Sequence, residues 1–252
     1  MDRKYEDYYV AFIDVLGFKQ LLESEVACGE IYAIFDFLRE NAHATTDTEG
    51  STVLAFDEVK YYLMSDSIIL YIRSDIEGAL HALLETCRML QLKLLLRKRP
   101  ILVRGGIARG ELFVDNRVVF GKALTAAYQL ENSVAVTPRI VFNKELISNK
   151  VGALLSKPWW GRAITRKDKD ELYYVHYLRK EDIDKISDAI DAFSGIMSMC
   201  QWFLDRSYDK SLRHKYLWLK DYAMSEIKKH EKTIRNLPDG EKMINWWFVY
   251  DI

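Results

Sequence analysis

The order of β-rich and helical segments is the feature that most constrains the fold of this chain. Residues 8–15, YYVAFIDV, form a β-rich apolar run, and a tight turn then leads into a helical pattern over 19–43. Two short β-rich runs follow at 59–64 and 67–72, and only two residues separate them. This spacing is typical of a β-hairpin with Asp66 at its tip.

A second amphipathic helix is predicted over 76–96, where apolar residues recur at helical spacing until Pro100 prevents continuation. A glycine-containing strand is predicted at 101–114. Further elements are predicted beyond it: strands at 118–121, 138–145 and 171–178, and a helix at 123–132. The resulting βαββαβ order with additions predicts an α+β fold, a ferredoxin-like antiparallel or mixed sheet with helices on one face.

The character of the sequence changes at residue 181. Long helical patterns cover 183–205 and 212–232, and a turn is predicted at 238–240. The chain therefore divides into a first domain, residues 1–180, and a C-terminal helical extension, residues 181–252. The simplest role of the extension is to cover an exposed sheet or dimer edge, and a regulatory role is the alternative.

Charge and cysteine content argue against several classes of function. The 36 basic residues nearly balance the 37 acidic ones, so no overall field would recruit nucleic acid or an anionic membrane. Cys28, Cys87 and Cys200 lie far apart without metal-ligand spacing, which is typical of reduced thiols in a cytosolic protein. No apolar run approaches the roughly 18 residues of a membrane span. We expect a cytoplasmic protein without nucleic-acid or membrane partners.

Two aspartates are the main candidates for chemistry, because both are predicted at one end of the sheet. Asp14 ends the first strand just before a turn containing Gly17, and Asp66 lies at the tip of the next hairpin. Each alone is more typical of a turn or cap residue. Together, hard-oxygen ligands beside a glycine turn that opens a helix suit a magnesium-bound triphosphate. The backbone N–H groups of Leu16, Gly17 and Phe18 would then meet the phosphates.

Four segments carry motifs in a fixed order: FIDVLGF at 12–18, MSDSIILY at 64–71, RGGIARGEL at 104–112 and VFGKALTAAYQLEN at 119–132. They resemble the motifs of class III nucleotidyl cyclases, and the resemblance covers about residues 8–178. It implies that residues 1–180 form a catalytic domain with the class III cyclase fold. It also implies conversion of a nucleoside triphosphate to a 3′,5′-cyclic monophosphate, with release of pyrophosphate.

The resemblance implies a metal site as well. Two ions, Mg²⁺ or Mn²⁺, would be held in each site by the catalytic Asp14 and Asp66, together with the backbone carbonyl of Val15. Class III sites form between two subunits, so a homodimer with sites at its interface is expected.

This chain differs from the purine-specific members of the family at positions that read the base and at positions that stabilise the transition state. Members that use ATP or GTP carry a Lys four residues before the hairpin Asp and an Asp or equivalent three before the later glycine, where this chain has Tyr62 and Val118. A tyrosine can stack on a base and offer one hydroxyl, whereas valine cannot read an amino group. The helix Asn and Arg of the family align with Thr125 and Gln129, so one cation near the transition state is missing.

Basic residues elsewhere are candidates to replace that cation. Arg104 is the first candidate, because the family also has an arginine in its glycine strand, and Arg97 is another. Lys169 lies in the basic cluster RKDK, 166–169, which precedes the final strand as a lysine-bearing hairpin does in the family. It would bind the triphosphate, although a solvated turn is an equally simple reading.

The FIDVLGF and SDS segments, together with Tyr62 at the purine-reading position, most resemble the bacterial pyrimidine cyclases of Pycsar anti-phage defence. This resemblance implies synthesis of cyclic UMP from UTP. The product would be a second messenger that a separate cyclic-nucleotide-sensing effector reads. Three alternatives stay open at this point: a cytidylate cyclase that makes cyclic CMP, a purine cyclase, and a catalytically inactive interaction module.

Overall fold

The computed structural model describes residues 4–23, 27–41, 56–115, 117–147, 164–179 and 186–236. Contacts divide the chain into two compact units, Met1–Tyr177 and Leu178–Ile252. The assignment of a catalytic domain to 1–180 and of an extension to 181–252 stays a prediction. The turn predicted at 238–240 lies outside the described residues, as does the end of the first predicted helix.

Unit 1 follows the predicted order of elements, with boundaries that differ by a few residues. Its strands are β1 Glu6–Val15, β2 Lys60–Met64, β3 Ser67–Arg73, β4 Val103–Asp115, β5 Val118–Phe120, β6 Ile140–Phe142, β7 Thr165–Lys167 and β8 Tyr173–Val175. Its helices are α1 Phe18–Leu22, α2 Ala27–Asn41, α3 Ala79–Leu95 and α4 Lys122–Ser133, with short 3₁₀ turns at Phe56–Glu58 and Lys144–Leu146. Strand β7 was not predicted, because its letters, TRK, read as a solvated turn.

The strands form one mixed sheet in the order β2-β3-β1-β4-β6-β8-β7, and β5 pairs with β4 outside this path. The first four strands in this order pair antiparallel with their neighbours, and their order is ferredoxin-like. Strand β6 then pairs with β4 in parallel, which makes the sheet mixed. The predicted α+β, ferredoxin-like fold class is therefore confirmed.

Alternation along β1 sends its side chains to two different apolar clusters. Ala11, Ile13 and Val15 join a large cluster with α3 and with the α2 residues Phe37 and Leu38. Val10 and Phe12 point the other way and pack with Ala123 and Ala127 of α4. Helices therefore cover both faces of the sheet, whereas the sequence predicted helices on one face.

Helix α4 lies unusually close to β4 because Gly106 has no side chain. A Cβ built on Gly106 would lie 2.5 Å from the Leu130 Cβ and 2.9 Å from the Glu131 backbone nitrogen. Real Cβ atoms do not approach other atoms so closely, so only glycine fits at this position. The position of the last turns of α4 is thus fixed by the β4 backbone.

A buried arginine ties the β7–β8 turn to the segment that precedes β6. Arg139 is 3% exposed, and its Nη1 donates to Asp168 Oδ2 at 2.6 Å and to Asp170 Oδ1 at 3.1 Å. Its Nη2 pairs with the other Asp170 oxygen. Burial alone would raise the pKa of Asp170, but the hydrogen bonds and charge of Arg139 outweigh it and lower that pKa.

Unit 2 contains the two predicted helices, α5 Ile186–Arg206 and α6 Lys210–Arg235. The Asp209 side chain caps α6 by accepting from the Leu212 N–H at 2.7 Å. Phe203 and Tyr216 stack between the helices with ring centroids 4.2 Å apart. Over the described part of the chain, no helix has both the length and the apolar character required to cross a bilayer.

Replacing Gly106 by alanine should destabilise unit 1 by about 2 to 3 kcal/mol, because α4 would have to move off β4. The measurement is the free energy of unfolding in urea. Gly29→Ala is the matched control, since a Cβ there meets nothing within 4 Å on an exposed position of α2. That control should be neutral or stabilising by up to about 1 kcal/mol; equal effects of both changes would refute the close packing of α4.

Asp170→Asn should weaken the fold at neutral pH and have a smaller effect at low pH. The folded-state pKa of Asp170 is lowered, so its ionised form stabilises the fold above its ordinary pKa, and this contribution is lost as the pH falls. Solvent reaches 44% of the side chain, so we expect at most about 1 kcal/mol. Thermal unfolding at pH 7 and pH 3 measures the difference, and a larger effect at pH 3 would contradict the ion pair.

Candidate active site

Backbone pairing places the two predicted aspartates side by side. Asp14 is the penultimate residue of β1 and pairs with Ser67, the residue directly after Asp66. The Val15 N–H donates to the Asp66 carbonyl at 3.0 Å, which fastens the hairpin turn to the end of β1. Ser65, with φ of +57°, closes the two-residue turn in a left-handed conformation. The structure therefore brings Asp14 and Asp66 to the same edge of the sheet.

Asp14 projects from the sheet face that α4 covers, because it alternates with Ile13 and follows Phe12 by two residues. On the neighbouring strand it pairs with Arg104. Its carboxylate remains 21% exposed, the same fraction as the Arg104 side chain. A carboxylate and a guanidinium thus lie opposite each other at this end of the sheet.

Arg104 connects three elements through its guanidinium. Nε lies 3.4 Å from Asp14 Oδ2, and Nη1 donates to the Ala135 carbonyl at 3.3 Å. The shortest contact is the ion pair between Nη2 and Glu131 Oε1, at 2.7 Å. Arg104 is therefore a counter-ion for two protein carboxylates, and its predicted role as the transition-state cation stays a prediction.

Glu131 is the member of the site that sequence reasoning missed. It is 3% exposed, and its Oε1, although ion-paired with Arg104, accepts no well-aligned hydrogen bond. Burial raises the pKa of Glu131, Arg104 opposes this, and the charges of Asp14 and Asp66 raise that pKa further. A signal was present in the sequence: Ala123, Ala127 and Glu131 recur every four residues, so the glutamate occupies the buried face of α4.

The turn after β1 contains the glycine conformation that the sequence predicts, but it does not leave all three predicted amides free for phosphate. Gly17 has φ of +75° and precedes α1, so this turn requires a residue that tolerates the left-handed region. The Leu16 N–H, however, donates to the Leu102 carbonyl at 2.9 Å. Leu16 therefore does not offer the free amide that was predicted to meet phosphates, because its backbone pairs with the segment entering β4. The Gly17 and Phe18 amides remain candidates.

The residues predicted to surround the base lie on two elements. Tyr62 of β2 pairs with Ile69 and packs, half-buried, against the α4-side cluster, so it shares a sheet face with Asp14. Val118 of β5 is 47% exposed.

Thr125 and Gln129, the positions of the family's helix Asn and Arg, both lie on α4. The Thr125 hydroxyl donates to the Gly121 carbonyl at 3.2 Å, and Gln129 lines a cleft of about 740 Å³ beside the helix. Asp14 and Asp66 do not line this cleft.

The two remaining basic candidates lie in different places. Arg97 follows α3 in the connection to β4, and β4 begins with Val103 opposite Val15, so this connection reaches the Asp14 edge. Lys169 lies exposed in the β7–β8 turn. Strands β4 and β6 separate β8 from β1, so the structure does not bring Lys169 to the aspartates of its own chain.

The donor set suits a hard divalent cation that substrate oxygens complete. Across the described ranges, no three His, Cys, Asp or Glu side chains form a metal cage by themselves. Mg²⁺ is ordinarily held by one or two carboxylates together with phosphate oxygens and water. Asp14 and Asp66 supply two carboxylates. Val15 follows Asp14 in the chain, and its N–H bonds to the Asp66 carbonyl. These residues therefore fit Mg²⁺ or Mn²⁺ bound with a nucleotide.

Comparison with solved structures finds 39 chains of similar structure, and one of them is a nucleotide cyclase. No protein-family model matches the sequence, and no curated protein matches it either. The chain is similar in structure to the adenylate/guanylate cyclase/hydrolase from Silicibacter pomeroyi, with 15% sequence identity and a TM-score of 0.46. The match covers 69% of this chain and 98% of that one.

Asp66→Asn should stabilise the metal-free protein, by about 1 kcal/mol or less, because it removes one of the two negative charges that raise the pKa of the buried Glu131. Added Mn²⁺ should reverse the order, since the wild-type chain would gain more from the ion. Thermal unfolding with and without Mn²⁺ measures both effects, with Asp57→Asn, an exposed aspartate outside this cluster, as control. A destabilised Asp66→Asn chain without metal would contradict the repulsion.

Proposed function

We propose that this chain is a metal-dependent nucleotide cyclase that works in the cytoplasm as a homodimer and converts UTP to 3′,5′-cyclic UMP and pyrophosphate. The observation that carries the proposal is the backbone bond from Val15 to Asp66, which fixes Asp66 beside Asp14 at one sheet edge. A surface turn has no need of two adjacent carboxylates, and their repulsion costs stability unless a cation is bound.

The proposed roles follow from the positions of the side chains. Asp14, Asp66 and the Val15 carbonyl would hold two Mg²⁺ or Mn²⁺ ions. When bound, the metal would acidify the 3′-hydroxyl of the substrate and neutralise charge on the phosphates. The Gly17 and Phe18 amides lie directly after these ligands in the chain and would orient the phosphates. Nucleophile and electrophile belong to one substrate molecule, so the protein mainly supplies orientation and charge.

The base is proposed to be a pyrimidine. Tyr62 can stack on either pyrimidine and donate one hydrogen bond, and Val118 offers no polar group to a purine edge. UTP is preferred over CTP because arginine or backbone N–H donors could meet the uracil O4. Cytidylate cyclase activity is the next candidate, followed by purine cyclase activity and an inactive module, and the experiment below separates them.

A second subunit would complete the site. Asp14 and Asp66 do not line the cleft beside α4, and the resemblance to class III cyclases implies that each site forms between two subunits. In the proposed homodimer, one chain supplies the metal ligands, while Tyr62 of the partner subunit meets the base and Lys169 of the partner subunit meets the triphosphate. Arg104 is the first candidate for the missing transition-state cation, and Arg97 is another.

The FIDVLGF and SDS segments and Tyr62, which resemble the Pycsar pyrimidine cyclases, suggest the biological setting. We propose that the product is a second messenger of anti-phage defence and that a separate effector with a cyclic-nucleotide sensor reads it. Neither nucleic acid nor a membrane is proposed as a partner.

The decisive test is incubation of the purified chain with each of the four ribonucleoside triphosphates and Mn²⁺, with product identification by mass. We expect cyclic UMP from UTP, and a loss of at least about 10³-fold in rate for Asp14→Asn or Asp66→Asn, because the metal ligands act in the chemical step. Asp57→Asn should retain full activity. A cyclic purine would overturn the role of Tyr62, and no product under any condition would favour an inactive module.

A further inference from the structure

The cleft beside α4 lies where β6 stops pairing with β4. Strand β6 pairs with residues 105 and 106 of β4. Among the described residues, no strand continues this pairing along 107–109. The cleft is lined by these three residues and by Asn143, which directly follows β6. It therefore occupies the place that a longer β6 would fill.

The cleft extends around the edge of β4 and is not confined to one face of the sheet. On the face that α4 covers, it is lined by Ala126 and Leu130 of that helix. Tyr9 and Leu146 also line it, and both pack with the apolar cluster on the opposite face, which α3 covers. Apolar side chains therefore form two walls of a slot that lies in the plane of the sheet.

Backbone alternation along β4 decides which polar groups face this slot. The Gly105 N–H donates toward β6, to the Arg139 carbonyl at 3.1 Å. Backbone groups of successive strand residues point to opposite sides, so Ile107 and Arg109 face the slot and Ala108 faces β1. Because the β6 pairing ends before them, the Ile107 carbonyl and the Arg109 N–H and carbonyl have no ladder partner among the described residues.

This free edge suits a single planar group better than a peptide strand. It is three residues long, shorter than the about five to six residues of a typical strand. Gly121 packs against the next stretch of β4, since a Cβ built on it would lie 2.4 Å from the Glu111 carbonyl oxygen. The volume of about 740 Å³ is within the roughly 300–1,000 Å³ of small-molecule sites.

We propose that the slot binds the adenine ring of a nucleoside, with the ring in the plane of the sheet and between the two apolar walls. The adenine N6–H would donate to the Ile107 carbonyl, and N1 would accept from the Arg109 N–H. The C2–H would face the Arg109 carbonyl. Cytosine offers the same donor and acceptor, but its O2 would face that carbonyl and be repelled.

The charged residues of the cleft favour a neutral nucleoside over a nucleotide. Arg109 Nε donates to Asp7 Oδ2 at 2.7 Å, and the guanidinium lies 5.4 Å from the centre of the Tyr9 ring. The arginine charge is thus already paired, and Glu145 adds an acidic side chain to the same cleft. Gln129 is exposed at the cleft and suits the ribose hydroxyls.

The site is separate from the proposed metal site, because Asp14 and Asp66 do not line the cleft. The inference therefore does not depend on the proposed function. Loss of cyclase activity and loss of adenosine binding are distinct results.

The experiment is calorimetric titration of the full chain with adenosine, without divalent metal. 1-Deazaadenosine, in which C–H replaces N1, should bind at least about fivefold more weakly, because the Arg109 N–H would lose its acceptor. N6,N6-dimethyladenosine should lose a similar factor, because it cannot donate to the Ile107 carbonyl. ATP should bind no more tightly than adenosine.

Variants of α4 locate the site. Ala126→Phe should weaken adenosine binding at least about tenfold, because the larger side chain fills the slot from one wall. Asn132→Phe is the matched control, since Asn132 is exposed on the same helix and does not line the cleft. That control and Asp66→Asn should both bind adenosine as wild type does. Circular dichroism establishes that each variant is folded.

Each outcome supports or overturns the proposal. Weaker binding of both modified nucleosides and of Ala126→Phe, with both control variants unchanged, supports it. Absence of adenosine binding, equal binding of 1-deazaadenosine, or cytidine binding as tight as that of adenosine overturns it. Weaker binding by Asp66→Asn would place the nucleoside at the aspartates and also overturn it. If Ala126→Phe does not fold, the nucleoside series decides alone, because it requires no substitution.

Discussion

The antiparallel pairing of β1 with the β2–β3 hairpin is the constraint on which the rest of the site depends. A register that pairs Asp14 with Ser67 places Asp66 at the end of β1, and the Val15 to Asp66 backbone bond prevents the turn from moving away. A slip of one residue would send Asp14 to the face that α3 covers. The apolar residues that alternate along β1 exclude that slip, so the core and the site specify the same register.

The second constraint is the contact of α4 with β4, which brings the buried Glu131 of α4 to Arg104 of β4. Because Gly106 admits the helix backbone, Glu131 reaches Arg104, and Arg104 reaches Asp14. Glu131 is buried, and burial together with the charges of Asp14 and Asp66 raises its pKa. Carboxylates with pKa values perturbed in this way are typical of functional sites.

The sequence was sufficient for the elements and for the two aspartates, because alternation and turn spacing are local signals. It was insufficient where the hydrogen-bond partner or neighbour of a residue comes from a distant part of the chain. The Leu16 amide was predicted to be free for phosphate, but it donates to a carbonyl of the segment that enters β4. Glu131 occupies the buried face of α4, yet only the register of β4 shows that Arg104 lies opposite. Strand β7 consists of polar residues and gives no apolar pattern.

The central claim is that Asp14 and Asp66 hold divalent metal together with a nucleoside triphosphate. Crystals grown with Mn²⁺ and a non-cyclisable UTP analogue test it directly, because Mn²⁺ scatters anomalously and can be located without bias. If both aspartates hold the metal, anomalous peaks should lie within metal–oxygen bonding distance of both carboxylates, with the Val15 carbonyl and the triphosphate among the other ligands. Peaks elsewhere, or a bound nucleotide without metal at these aspartates, would contradict it.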